Sequence, residues 1–137
     1  MPAGYSGTPL IKKLGFKEGY RICVKNAPDH YLDLIGDLPK NATIGKRLGG
    51  KFDAIHFFTK KASELRATLP KLQESIQQDG MIWISWPKKS SKVKTDVTEG
   101  TIREVCLPIG LVDIKVCAVD ETWSGLKLVI RKELRTK

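Results

Sequence analysis

The stretch FDAIHFFTKKASELRATLPKLQESIQQDGMIWISWP, Phe52–Pro87, decides the fold. It opens with FDAIHFFT, a nearly continuous apolar run of strand length, and closes with MIWISWP, a second run of the same kind. Strands that helices cover on both faces of a parallel sheet have this composition. Between the runs, Leu65, Leu69, Leu72 and Ile76 recur every three or four residues, the spacing of an amphipathic helix. The stretch therefore predicts a strand, a crossover helix and a parallel strand.

A glycine and a proline set the expected limits of this helix. The tripeptide QDG places Gly80 directly before the second apolar run, so we expect the helix to end there. Pro70 lacks the backbone N–H that an interior helical residue donates, so it predicts a kink or a division of the helix.

The same alternation extends upstream. SGTPLIKKLGF predicts a short helix with Thr8 as its N-cap and Gly15 as its left-handed C-terminal residue. YRICVKNAP, Tyr20–Pro28, predicts a strand followed by a turn, and the next segment predicts a brief helix closed by Gly36. Ala42–Ile44 is either one short strand or part of a loop.

Downstream, a helix is expected from Thr98 to about Pro108. LVDIKVCAVD and LKLVIRKEL, joined by ETWSG, predict a final antiparallel hairpin. Alternating strands and helices imply a mostly parallel sheet with helices on both faces. The 137 residues thus predict one α/β domain, a three-layer sandwich with a C-terminal antiparallel hairpin.

Composition favours a soluble, basic protein. Apolar residues make up 41% of the chain, and no apolar run approaches the ~18 residues of a membrane span. The first residues, MPAGYSGTPL, lack the basic start and apolar stretch of a secretory signal, so we expect a cytoplasmic protein without membrane association. The net charge of +9 favours acidic partners.

Cysteines and histidines show no metal-ligand spacing. Cys23, Cys106 and Cys117 are far apart and lie in apolar stretches, which predicts buried free thiols. His30 and His56 have no partner at ligand spacing, so we predict no metal site.

The order strand, helix ending in QDG, strand MIWISW, helix and hairpin resembles part of a known fold. Over Lys51–Arg131 it resembles the second half of the Rossmann-like class I S-adenosylmethionine-dependent methyltransferases. The motifs GYSGTPLIKKLG, NAP, WPKKSSKVKTDVT and VDIKVCAVDETWSGLK are similar to those of a family of short bacterial proteins with a domain of unknown function. This second resemblance spans nearly the whole chain and implies a shortened, Rossmann-like, methyltransferase-like fold with no established activity to carry over.

A methyltransferase also needs a cofactor site. Rossmann-type sites place a glycine-rich turn after the first strand and an acidic residue about 20 residues further on. Here Asn26, Ala27 and Pro28 stand in place of the glycines, and IGKRLGGK supplies glycines without an acid at a strand end. We therefore predict no cofactor and keep methyl transfer with a degenerate cofactor motif as an alternative.

Ligands of open α/β sheets bind outside the carboxyl ends of the strands. The strand ends at Asn26, Thr59 and Trp86 should meet at one crevice, which the loop WPKKSSKVKTDVTEG overhangs. This loop brings four lysines and two serines, and Asp96 or Thr98 can cap the following helix, whose exposed N–H groups complete an anion site. The candidate ligand-binding residues are Asn26, Trp86, Lys88, Lys89, Ser90, Ser91, Thr95, Asp96, Asp120, Trp123 and Lys127.

Each candidate also has a structural interpretation. The lysine loop is equally compatible with a solvated connector that keeps the protein soluble. Asp120 or Thr122 can cap backbone amides while Trp123 covers the core edge, or Trp123 can stack on a base or a partner side chain beside Lys127. Trp83 is expected in the core.

These patterns favour a binding protein that recognises an anionic small molecule or an acidic partner at the carboxyl edge of its sheet. We find no nucleophile-elbow or metalloprotease motif, so no catalytic residue is predicted. Besides methyl transfer, nucleic-acid binding remains an alternative because the isoelectric point is about 9.6.

Overall fold

The structure, a computed structural model, describes residues 9–136. Its strands are β1 Arg21–Lys25, β2 Thr43–Gly45, β3 Phe52–Phe58, β4 Ile76–Pro87, β5 Leu111–Ala118 and β6 Trp123–Ile130. Its α-helices are α1 Leu10–Leu14, α2 Tyr31–Ile35, α3 Ala62–Glu74 and α4 Glu99–Cys106.

The strands form one sheet in the order β2-β1-β3-β4-β6-β5. β2, β1, β3 and β4 pair in parallel, while β6 pairs antiparallel with both β4 and β5. After β2 the chain crosses over β1 to form β3, so the strand order reverses between β1 and β3. In open α/β sheets, the carboxyl end of such a reversal is where ligands bind.

Helices cover both faces of the sheet, as the apolar strands predict. Leu10 and Leu14 of α1 and Ile35 of α2 pack on one face with the core residue Trp83. α3 and α4 pack on the opposite face, where Leu69 is fully buried. The three-layer, mostly parallel sandwich with a C-terminal antiparallel hairpin is confirmed.

The predicted end of the long helix is wrong. α3 ends at Glu74, because the Ser75 hydroxyl and amide bond the carbonyls of the preceding turn. Ile76 then pairs with Phe52 and is the first residue of β4. It belongs to a strand although it continues the helical spacing of the leucines. Gly80 allows close approach of the chains here, since a Cβ on it would lie 3.1 Å from the Asp53 carbonyl oxygen.

Pro70 lies inside α3 without dividing it. The residue is exposed, so its ring faces solvent on the side of the helix away from the sheet.

Other boundaries agree closely with the prediction. Gly15 ends α1 with φ 76, whereas the N-cap predicted at Thr8 lies outside the described residues. Of the two options for Ala42–Ile44, the short strand is correct, shifted to Thr43–Gly45. Trp123, predicted in the hairpin connector, already belongs to β6.

The three cysteines are free thiols, of which Cys23 and Cys106 are buried and Cys117 is half-buried. Among residues 9–136, no helix has the length and hydropathy needed to cross a bilayer.

Candidate functional site

A lysine pocket and a switch-point crevice open at the carboxyl edge of the parallel strands. The lysine pocket, of about 610 Å³, is lined by residues 86–89, 92–95 and 97–100. The switch-point crevice, of about 470 Å³, lies where β1 and β3 end and is lined by Asn26, Pro28, Asp29, Phe58, Thr59, Lys60, Lys61, Glu64 and Trp123. The two cavities share no lining residue.

The lysine pocket combines an apolar wall with a cationic rim. Trp86 and Val97, both buried in the core beneath α3 and α4, form part of its wall. The acid in its lining, Glu99, accepts a hydrogen bond from Arg103 at 2.9 Å, so its charge is already paired. Four lysines also line the pocket, namely Lys88, Lys89, Lys92 and Lys94.

The lysine loop is folded against the protein. Lys88 N donates to the Thr122 carbonyl at 2.7 Å, which fixes the loop to the β5–β6 turn. Ser91 Oγ donates to the Lys88 carbonyl and accepts from Val93 N, closing a short 3₁₀ turn. This bonding argues against a freely solvated connector. Ser91 therefore shapes the loop, while Ser90 is exposed and lines neither cavity.

A second set of bonds ties the loop to the start of α3. Thr95 Oγ1 donates to the Lys60 carbonyl at 2.8 Å, and Asp96 Oδ1 accepts from Ala62 N at 2.7 Å. Asp96 thus bonds the first amide of α3, and Thr98 caps α4 through a capping box with Thr101. Of the two predicted caps for α4, Thr98 is correct.

The switch-point crevice is crossed by a polar network. Asn26 has φ 60, a left-handed conformation that is rare without glycine, and its Nδ2 donates to the Phe58 carbonyl at 3.2 Å. Thr59 Oγ1 donates to Glu64 Oε1 at 2.6 Å, and the other carboxylate oxygen of Glu64 faces Asn26 Nδ2 at 3.5 Å. These bonds tie the ends of β1 and β3 together across the crevice.

The turn before β6 closes the other side of this crevice. Asp120 Oδ1 accepts from Thr122 N and Trp123 N, and its Oδ2 pairs with His30 Nε2 at 3.0 Å. Trp123 is 9% exposed and packs edge-on against Phe58 with ring centroids 5.0 Å apart. Asp120 therefore caps backbone amides and Trp123 covers the core edge, as the structural interpretation predicts. Trp123 also lines the switch-point crevice.

The expectation of one shared crevice is wrong. Trp86, Lys88, Lys89 and Thr95 line the lysine pocket, whereas Asn26 lines the switch-point crevice. The separation arises because Trp86 and Trp123 belong to cores on opposite faces of the sheet.

Lys127 lies away from both cavities. It pairs with Trp83 in mid-sheet, four positions along β6 from Trp123, or about 13 Å at ~3.3 Å per residue. Trp123 lines the switch-point crevice and Lys127 does not, so the alternative in which Trp123 stacks on a base or a partner side chain beside Lys127 is wrong.

Sequence reasoning missed Glu64 and the pairing of His30 with Asp120. Glu64 reaches the crevice from the first turn of α3, and His30 meets a residue 90 positions later. Only the tertiary fold brings these groups together, so no local motif could have indicated them.

The fold implies a Rossmann-type cofactor, but the residues at its expected position do not fit one. The Asn26 side chain occupies the turn after β1 and bonds across to β3, where a glycine would leave room for the ligand. Lys46 and Arg47 follow β2, where an acidic residue would bind the ribose hydroxyls. The turn after β1 and the residues after β2 are therefore unsuited to bind such a cofactor.

Solved methyltransferases share this fold at low sequence identity. An S-adenosylmethionine-dependent methyltransferase from Aquifex aeolicus is 17% identical with a TM-score of 0.62, over 88% of this chain and 87% of that one. A ribosomal protein L11 methylase from Lactobacillus delbrueckii subsp. bulgaricus is 14% identical with a TM-score of 0.55, over 88% and 74% of the two chains. Magnesium protoporphyrin IX methyltransferase from Synechocystis PCC 6803 is 12% identical with a TM-score of 0.56, over 82% and 75%. The protein therefore has a methyltransferase-like α/β fold.

Residues 40–132 match the family described as protein of unknown function (DUF3052), and the chain belongs to this family. Comparison with curated proteins finds no match.

Proposed function

We propose that the protein binds an anionic small molecule in the lysine pocket. The observation that carries the proposal is the convergence of Lys88, Lys89, Lys92 and Lys94 on one cavity of about 610 Å³. A cavity of ~300 to 1,000 Å³ suits a small-molecule ligand.

The charges of the pocket are unbalanced. Glu99 is paired with Arg103, and within residues 9–136 none of the four lysines forms an ion pair with a carboxylate. A bound oxyanion would supply the missing negative charge, and the four lysines would attract it over a long range.

The wall of the pocket suggests the shape of the ligand. Trp86 contributes an aromatic surface and Val97 an aliphatic one, whereas the lysines in the lining are exposed or half-buried. A ligand with a flat apolar part and a phosphate or carboxylate matches this division, and a nucleotide is the common molecule with both parts.

Calorimetric titration with ADP, using two matched double variants, tests the proposal. Lys88→Ala with Lys89→Ala removes two charges from the pocket, and Lys71→Ala with Lys132→Ala removes two exposed charges elsewhere. We expect the pocket variant to bind ADP at least about tenfold more weakly and the control to bind nearly as the wild type does.

The proposal would be contradicted by no ADP or pyrophosphate binding to the wild-type protein, or by equal losses in both double variants. Titration with a short oligonucleotide at two salt concentrations tests the nucleic-acid alternative. Much tighter oligonucleotide binding with a steep loss in salt would favour that alternative instead.

A further inference from the structure

Lys127 occupies an unusual position for a lysine. It lies half-buried in the middle of β6, on the face that α1 covers, and its Nζ approaches Gly15 at the end of α1. Lys115 stands directly opposite on β5. Directly opposed side chains of an antiparallel pair point to the same face, so the fold places two ammonium groups side by side.

This arrangement costs stability unless something offsets it. Like charges directly opposite each other on paired strands are destabilising. Burial lowers the pKa of Lys127, and the positive charges of Lys115 and Lys17 lower it further. Lys127 of β6 and Lys115 of β5 thus lie side by side.

Lys115 has a structural role as a hydrogen-bond donor at the end of α1, whereas Lys127 does not. The last four carbonyls of α1 all have donors without Lys127. These donors are Phe16 N to Ile11 O at 3.3 Å, Gly15 N to Lys12 O at 3.1 Å, Lys115 Nζ to Lys13 O at 3.4 Å and Trp83 Nε1 to Leu14 O at 2.8 Å. Throughout the described part of the chain, Lys127 Nζ has neither a hydrogen-bond acceptor nor a carboxylate partner.

We propose that Lys127 and Lys115 form a second anion-binding site, which takes an oxyanion of the phosphate type. The anion accepts hydrogen bonds from the Lys127 and Lys115 ammonium groups, which separates two like charges by a negative one. This site is independent of the lysine pocket, because Lys127 pairs with Trp83 in mid-sheet, about 13 Å from the carboxyl edge.

Thermal unfolding in inorganic phosphate and in sodium chloride of equal ionic strength tests this second site. Phosphate should raise the melting temperature of the wild-type protein above its value in chloride, because an anion that binds only the native state stabilises it. Lys127→Met keeps the apolar stem and removes the charge, so it should abolish the phosphate-specific gain. In chloride at low ionic strength this variant should be at least as stable as the wild type, since the repulsion with Lys115 is gone.

Three further variants complete the test. Lys115→Ala changes an exposed side chain, so the protein should fold normally and bind phosphate about tenfold more weakly. Lys132→Met is the control and should keep the full gain. The Lys88→Ala and Lys89→Ala double variant should keep the Lys127-dependent part of the gain, which separates this site from the lysine pocket.

Equal stabilisation of the wild type and Lys127→Met by phosphate would overturn the proposal. A wild-type protein that phosphate stabilises no more than chloride does would also overturn it.

Discussion

His56 lies fully buried on β3, in a chain of three polar side chains. Its Nδ1 is 2.9 Å from Tyr31 Oη and its Nε2 is 2.7 Å from Ser85 Oγ. The ring stacks on Phe58 with centroids 4.3 Å apart. Because all three polar groups are satisfied inside the core, the network has a structural role and leaves no group free for a ligand.

His56 should make the protein sensitive to acid. Burial lowers its pKa from 6.5 to about 3, so between these values the unfolded chain binds a proton that the folded chain does not. The free energy of unfolding should therefore fall as pH falls from 6.5 towards 3, by up to ~1.4 kcal/mol per pH unit from this group. Urea unfolding at several pH values measures this slope.

His56→Gln should lower stability at neutral pH and flatten the acid slope, because glutamine does not titrate. An unchanged slope in His56→Gln would contradict the role of this histidine.

Single residues were predictable where local pattern alone sets their environment. Trp83 and Trp86, three apart on one strand, lie on opposite faces of the sheet as the strand period requires. Asp96 was assigned to ligand binding or to capping of α4, yet it bonds Ala62 N at the start of α3. That contact joins residues 34 positions apart, which no local pattern indicates.

Among the elements, the lysine loop depends most on contacts with its neighbours. Asp96→Ala removes the acceptor for Ala62 N and should lower the free energy of unfolding by about 1 kcal/mol, the usual cost of losing a cap. Asp96→Asn keeps an acceptor oxygen and should lose less. Urea unfolding of both variants measures the difference.

ADP titration of the same variants shows whether Asp96 has a structural role or contacts the ligand. Since Asp96 does not line the lysine pocket, Asp96→Asn should bind ADP nearly as the wild type does. Full stability of Asp96→Ala combined with loss of binding would contradict the structural role.

The sequence predicted the types of the secondary-structure elements better than it predicted their boundaries. Apolar runs identified β3 and β4, and Thr98 marked the start of α4. The α3–β4 boundary was misplaced because Ile76 continues the helical spacing of Leu65, Leu69 and Leu72. Only its pairing with Phe52 on the neighbouring strand makes Ile76 extended.

At the scale of the molecule, alternation of strands and helices predicted the layered parallel sheet. It did not predict which cavity each strand end would line, because that depends on which face of the sheet each loop follows. Asn26 and Lys88 therefore share an edge but not a cavity. The net charge of +9 favours acidic partners, but it does not indicate the position of a binding site.

An NMR titration of the ¹⁵N-labelled protein with ADP tests most directly that the lysine pocket is the ligand site. The proposal predicts that the largest amide shift changes occur within residues 86–100, and that they saturate as ADP is added. Changes centred instead on Asn26–His30 at the switch-point crevice, or no saturable change at all, would contradict it.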